Sequence, residues 1–267
     1  MRIEVGLVAV SLLCALVAGC GGVVEVNAPP PPDVTAGTGN WLISGFYEVS
    51  QGFNPYSFSG SLVNENGHLN GVFHIDQPCF GSGAMDVPYT GTVDVKNVVN
   101  IRSAPVNSQV LTFTGLLSAD GSTMTEGSFK IVGGCTGSIV SGTFDEGPGV
   151  PATLETSAYR LPSLTGSWMM SSSLSEQLTQ SSTPDASGHS ALSGTVTVQG
   201  SPCFTQGTLQ PGSFVSGVSG QEIVKMNDGS MLQGTLGVSF NGQLSSSILG
   251  LSLHPGSVKG GKCDGPI

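Results

Sequence analysis

Alternation of apolar and polar residues, rather than a helical period, runs along this chain. It recurs in Gly71-Val72-Phe73-His74-Ile75, Gly91-Thr92-Val93-Asp94-Val95, Gly127-Ser128-Phe129-Lys130-Ile131 and Gly194-Thr195-Val196-Thr197-Val198. A period of two puts alternate side chains on opposite faces of an extended segment, so each run is predicted to be a strand with one buried face. Asn66-Gly67, Asp120-Gly121, Asp228-Gly229 and Asn241-Gly242 fall between such runs. These pairs tolerate positive φ and suit tight hairpins. Glycine opens strand after strand, as in Ser59-Gly60, Asn70-Gly71, Thr90-Gly91, Thr114-Gly115, Ser141-Gly142, Ser193-Gly194 and Gln233-Gly234. A missing side chain at recurring strand positions lets a sheet bend sharply, as small barrels require. About eight strands in meander order would close such a sheet and remove its edges.

The pattern also repeats on a longer scale. Gly39-Asn40-Trp41 is matched by Gly166-Ser167-Trp168, Pro78-Cys79-Phe80 by Pro202-Cys203-Phe204, and Gly133-Gly134-Cys135 by Gly260-Gly261-Lys262-Cys263. The offsets are nearly equal and the order is the same, which marks an internal duplication. Repeat one is read as 38–146, a linker containing Pro148, Pro151 and Pro162 as 147–163, and repeat two as 164–267. The predicted fold is all-β: two tandem small antiparallel β-meander barrels, with β-sandwiches as the alternative.

The N-terminus follows a different rule. After Arg2, Val5 to Val17 is almost unbroken apolar sequence, too short for a spanning helix and suited to a signal peptide over 1–19. It ends Leu16-Val17-Ala18-Gly19-Cys20, which resembles the lipobox of bacterial lipoproteins. That resemblance implies cleavage before Cys20, acylation of Cys20 (palmitate among the chains), and partnership with a membrane through the N-terminal lipid. Gly21 is not the aspartate that marks inner-membrane retention in that family, so the expected address is the outer membrane. Residues 20–37, with Pro29 to Pro32, form a tether that could reach about 60 Å at ~3.3 Å per residue.

Export changes the reading of the cysteines. Cys14 leaves with the signal and Cys20 takes the lipid, so Cys79, Cys135, Cys203 and Cys263 remain for disulfides. Each repeat holds one cysteine in Pro-Cys-Phe and one after a glycine pair. The predicted bridges are therefore Cys79–Cys135 and Cys203–Cys263.

Charge narrows the function. A net charge of −10 with 8 Lys+Arg leaves no basic stripe for phosphates, which sets nucleic acid aside. No Gly-x-Ser-x-Gly, Ser-x-x-Lys or His-Glu-x-x-His occurs, so no enzyme, cofactor or metal site is predicted. His74, Asp76 and His68 alternate onto one face of a strand, but the opposite face carries Phe73 and Ile75, so the three are read as solvated. Twelve of the 17 aromatic residues lie in repeat one, and six of them within 41–58. Gln51-Gly52-Phe53-Asn54-Pro55-Tyr56 reads as a loop. Phe46, Phe53 and Tyr56 are the candidate ligand-binding residues, suited to a sugar or small apolar ligand, against the plainer reading that they are core.

Gly-x-Trp at the head of the first strand, followed by a glycine-punctuated meander, resembles the lipocalin and avidin group. Leu164-Thr165-Gly166-Ser167-Trp168 is especially similar. That resemblance implies a basic residue from the last strand covering the tryptophan, and Ser138–Phe144 contains none. The whole chain also resembles uncharacterised two-repeat β-rich bacterial lipoproteins, from which no activity follows. The expected function is a non-catalytic, lipid-anchored envelope protein with a binding or surface-structural role. A small-molecule carrier using a barrel interior is the alternative, and a hydrolytic enzyme without a visible motif is third.

Overall fold

The computed structural model describes residues 36–50, 52–76, 79–81, 83–139, 158–241 and 248–259. The signal segment, Cys20, almost all of the tether, most of the linker and Cys263 lie outside them. No helix occurs among the described residues.

The first sheet is β1 (Gly39–Val49), β2 (Gly52–Glu65), β3 (His68–Ile75), β4 (Met85–Val93), β5 (Val98–Ser103), β6 (Leu111–Leu117), β7 (Thr123–Ile131), β8 (Thr136–Ser138) and β9 (Ala158–Arg160). β1 to β7 form an antiparallel meander that closes on itself. Two short strands share the closing position between β7 and β1. β8 pairs Ser138 with Phe46 and Ser128, and β9 pairs Arg160 with Trp41 and Tyr159 with Thr123. Residues 158–160, placed in the linker by the sequence reading, are thus a barrel strand. Their backbone satisfies an edge that would otherwise be open, and Ala158 is fully buried. Arg160 stands in register with Trp41.

The second sheet is β10 (Gly166–Met169), β11 (Leu174–Gln180), β12 (Ser190–Val198), β13 (Gln206–Leu209), β14 (Phe214–Ser216), β15 (Ser219–Met226), β16 (Met231–Asn241) and β17 (Ile248–Lys259). It is a meander in which β14 pairs with β12 and β15 beside β13. Among the described residues β10 and β17 each pair with one neighbour, so this sheet is eight strands rather than a closed ring.

Both sheets begin with the same device. Trp41 Nε1 donates to the Gly37 carbonyl at 2.7 Å, and Trp168 Nε1 donates to the Leu164 carbonyl at 2.7 Å. Thr38 Oγ1 accepts from the Asn64 amide and Thr165 Oγ1 from the Gln180 amide. Between each threonine and tryptophan lies a glycine at φ 139° or 149°, a conformation that side chains rarely adopt.

Elsewhere glycine serves close approach. A Cβ on Gly60 would meet the Val72 carbonyl oxygen at 2.1 Å, and one on Gly71 the Ser61 oxygen at 2.0 Å. These strands can coil tightly around the ring only because neither residue has a side chain. Asn66-Gly67 has positive φ at both residues, as its hairpin reading requires. The Asp120 turn is held by its carboxylate, which accepts from the Ser118 hydroxyl and from the hydroxyl and amide of Ser122. Those bonds lower the Asp120 pKa to about 2.

Cys79 and Cys135 are disulfide-bonded, with Cα atoms 5.5 Å apart. A Cβ on Gly134 would meet the Cys79 carbonyl oxygen at 2.4 Å, so the glycine beside Cys135 is what admits the bridge. Cys203 is disulfide-bonded as well. Its predicted partner, Cys263, lies outside the described residues.

Candidate functional site

The interior of the first barrel is filled. Eight aromatic side chains are buried there: Trp41, Tyr56, Phe58, Phe73, Phe80, Tyr89, Phe113 and Phe129. Tyr56 stacks on Phe129 at 4.4 Å, while Phe58 and Tyr89 meet Phe73 edge to face at 5.2 and 5.1 Å. Burial raises the pKa of both Tyr56 and Tyr89, and neither hydroxyl has a hydrogen-bond partner among the described residues.

The predicted ligand-binding loop is corrected by this packing. Residues 52–56 are strand, paired residue for residue with β1 from Gly45↔Tyr56 to Val49↔Gly52. Tyr56 is 1% exposed and Phe46 is 6% exposed, so both are buried side chains and not an exposed lip. Phe53 has its backbone in β2, and its side chain lies outside the described residues. Pairing with β1 satisfies the backbone that a loop would leave to solvent, and the alternation of β2 then turns Tyr56 inward.

His74 and Asp76 face outward, as the alternation of β3 implies. His74 does not join Asp76 or His68. Its cross-strand neighbour is Asp86, and Nδ1 lies 3.0 Å from Oδ1 of that residue. No group of three or more His, Cys, Asp or Glu side chains converges among the described residues.

The second repeat docks against the outside of β1 and β2. The Gly217 amide donates to Asn40 Oδ1 at 3.4 Å, and the Val218 amide to Ser59 Oγ at 3.3 Å. Gly217 has φ 55°, and a Cβ there would lie 2.5 Å from the Gly60 nitrogen. Asn40, Ser59 and Ser61 are buried polar residues for this reason.

Beside this seam lies an open cleft of about 490 Å³. Repeat one lines it with His74 and Asp86. Repeat two supplies His189 and Phe214, whose rings stack at 3.7 Å, and the polar side chains of Ser216, Ser219, Gln221, Gln233 and Thr235. His189 is positioned from behind, because its amide and that of Ser187 donate to the Asp185 carboxylate. Those amide bonds, His189's foremost, hold the Asp185 pKa below its ordinary value. The cleft therefore offers a flat apolar surface, a hydrogen-bonded imidazole–carboxylate pair and a row of carboxamides and hydroxyls.

A second polar feature is hidden. Glu176 on β11 and Glu222 on β15 are 3% and 1% exposed, at core positions of the second sheet. Burial raises the pKa of both. The signal for this pair was present in the sequence: Leu174-x-Glu176-x-Leu178 and Glu222-x-Val224-x-Met226 alternate as inward-facing strands with a carboxyl where an apolar residue is expected. The cleft had no such signal, because its two walls come from residues more than a hundred positions apart.

No family model, curated protein or solved structure matches the chain.

Proposed function

We propose that this is a non-catalytic, lipid-anchored protein of the bacterial outer membrane that binds a neutral polar ligand in the cleft between its repeats. The observation that carries the binding reading is the composition of that cleft: the His189–Phe214 stack beside carboxamides, hydroxyls and the His74–Asp86 pair. Flat rings bury the apolar face of a saccharide, while amides and hydroxyls bond its hydroxyl groups. A volume of about 490 Å³ suits a mono- or disaccharide. The ring-filled interior of the first barrel favours a structural role for that repeat over a carrying one. Anchoring rests on the Leu16-Val17-Ala18-Gly19-Cys20 sequence, and several acyl chains at ~0.8 kcal/mol per buried CH₂ would hold the protein almost irreversibly.

One experiment addresses both parts. The Cys20→Ser chain should move from the membrane fraction to the soluble fraction, and unchanged pelleting would refute the anchor. The soluble chain is then screened by saturation-transfer NMR against neutral mono- and disaccharides. Phe214→Ala should abolish any binding found. Binding that survives this substitution, or binding of a fatty acid instead, would count against the cleft. Turnover of a saccharide would replace the binding reading with an enzymatic one.

A further inference from the structure

The Glu176 and Glu222 carboxyls are enclosed by an apolar face. β10, β12, β13, β14 and β16 contribute Trp168, Val196, Leu209, Val215 and Leu236 to the same core. No Lys, Arg, His or Asp occupies a core position of β10 to β16. Lys225, the nearest cation along β15, is exposed, as is Lys259 at the end of β17. The backbone of His254 in β17 pairs with exposed Thr235.

Among the described residues no donor reaches any of the four carboxyl oxygens. The two carboxyls instead act on each other, and a hydrogen bond between them would require a proton on one. Two ionised carboxylates in this setting would repel each other, with no compensating cation among the described side chains.

The fold does not require the pair. Glu176 stands opposite Trp168, whereas in repeat one the residue opposite Trp41 is Gly60. Repeat one carries no buried acidic residue among the described positions.

We propose that Glu176 and Glu222 form a single-proton site, and that the second repeat folds around that bound proton, tying its stability to pH across the neutral range. Burial, then the facing Glu176 carboxylate, raises the Glu222 pKa from 4.5 to about 8. The unfolded chain therefore releases this proton near 4.5, while the folded chain keeps it until about 8. The stabilisation is complete below the lower value, declines as pH rises between the two, and is exhausted above about 8. Ser219, Gly220 and Gln221 of β15, and Gly234 opposite Glu222, also line the cleft. Loss of the proton should therefore disturb the cleft floor, a consequence that rests on the binding reading above.

The test uses the soluble Cys20→Ser chain with carboxyl-¹³C glutamate. One glutamate resonance should titrate near pH 8 and vanish in Glu222→Gln. In urea, the unfolding equilibrium constant should rise about tenfold per pH unit between roughly pH 5.5 and 7.5. Glu222→Gln should flatten that slope, since its amide donates to Glu176 without titrating. The proposal is overturned if every glutamate titrates below about pH 6, or if the slope survives in both Glu222→Gln and Glu176→Gln. Should neither variant fold, the titration of the parent chain decides alone. A pair that titrates near 8 in a chain that binds no saccharide sustains the proton site and removes the cleft reading. Failure to titrate beside intact saccharide binding does the reverse.

Discussion

The two repeats share their opening and differ in what they enclose. Each begins with a tryptophan whose indole donates to the carbonyl four residues earlier, a threonine that accepts an amide from the next strand, and a glycine at positive φ. These are local backbone requirements, met by a five-residue stretch wherever it occurs. Behind this shared opening, repeat one buries eight rings. Among the described residues the buried core of repeat two is Leu, Val and Met with two glutamates, and the aromatic side chains packed against it, Trp168 and Phe204, are only partly buried. A meander of antiparallel strands is thus compatible with two very different interiors, because its ladder depends on alternation and turns. Stability depends on what the alternation places inside.

Removing core volume should produce the largest contrast. Phe58→Ala takes out a ring packed against Phe73, Tyr89 and Phe113, and should cost about 3–5 kcal/mol by urea unfolding. Val224→Ala in the second core should cost less than half of that. Equal losses would mean that the rings contribute no more than aliphatic packing. Next is the Cys79–Cys135 bridge, which closes a separation of 56 residues. Replacing both cysteines with serine should destabilise repeat one by about 4 kcal/mol in the chain-entropy model. Non-reducing peptide mapping should show Cys203 joined to Cys263, and a Cys79–Cys203 peptide would end the comparison between equivalent repeats. The smallest effect is expected at the seam. Gly217→Val places atoms against the Gly60 backbone and should cost about 1–3 kcal/mol through overpacking. If the repeats are coupled there, the variant should also split a single unfolding transition into two. An unchanged single transition would show that the docking carries little cooperativity.

Much of the architecture was legible in the chain itself. The alternating runs became strands, Asn66-Gly67 became a hairpin, and the cysteine beside Gly134 found the partner that the duplication assigned to it. These features are decided by the local period, by φ and by equivalence between repeats. The loop reading of residues 52–56 gave way to a strand because two readings of an aromatic-rich segment, loop or strand, differ only in whether a neighbouring strand pairs with it. β1 does pair with it, along its whole length.

The rest was settled in three dimensions. Ala158–Arg160 is a strand because a gap between β1 and β7 accepts it, and nothing in three residues announces a gap elsewhere. Alternation likewise marks an outward face without saying whether solvent or another repeat will cover it. Ser59 is buried only because Gly217 and Val218 come to rest on it. The same docking opens the cleft between His74 and Phe214. Glu176 and Glu222 could each be read as an anomaly on its own strand. Their meeting depends on how the sheet curves, which is set by the packing of the whole core and not by either segment.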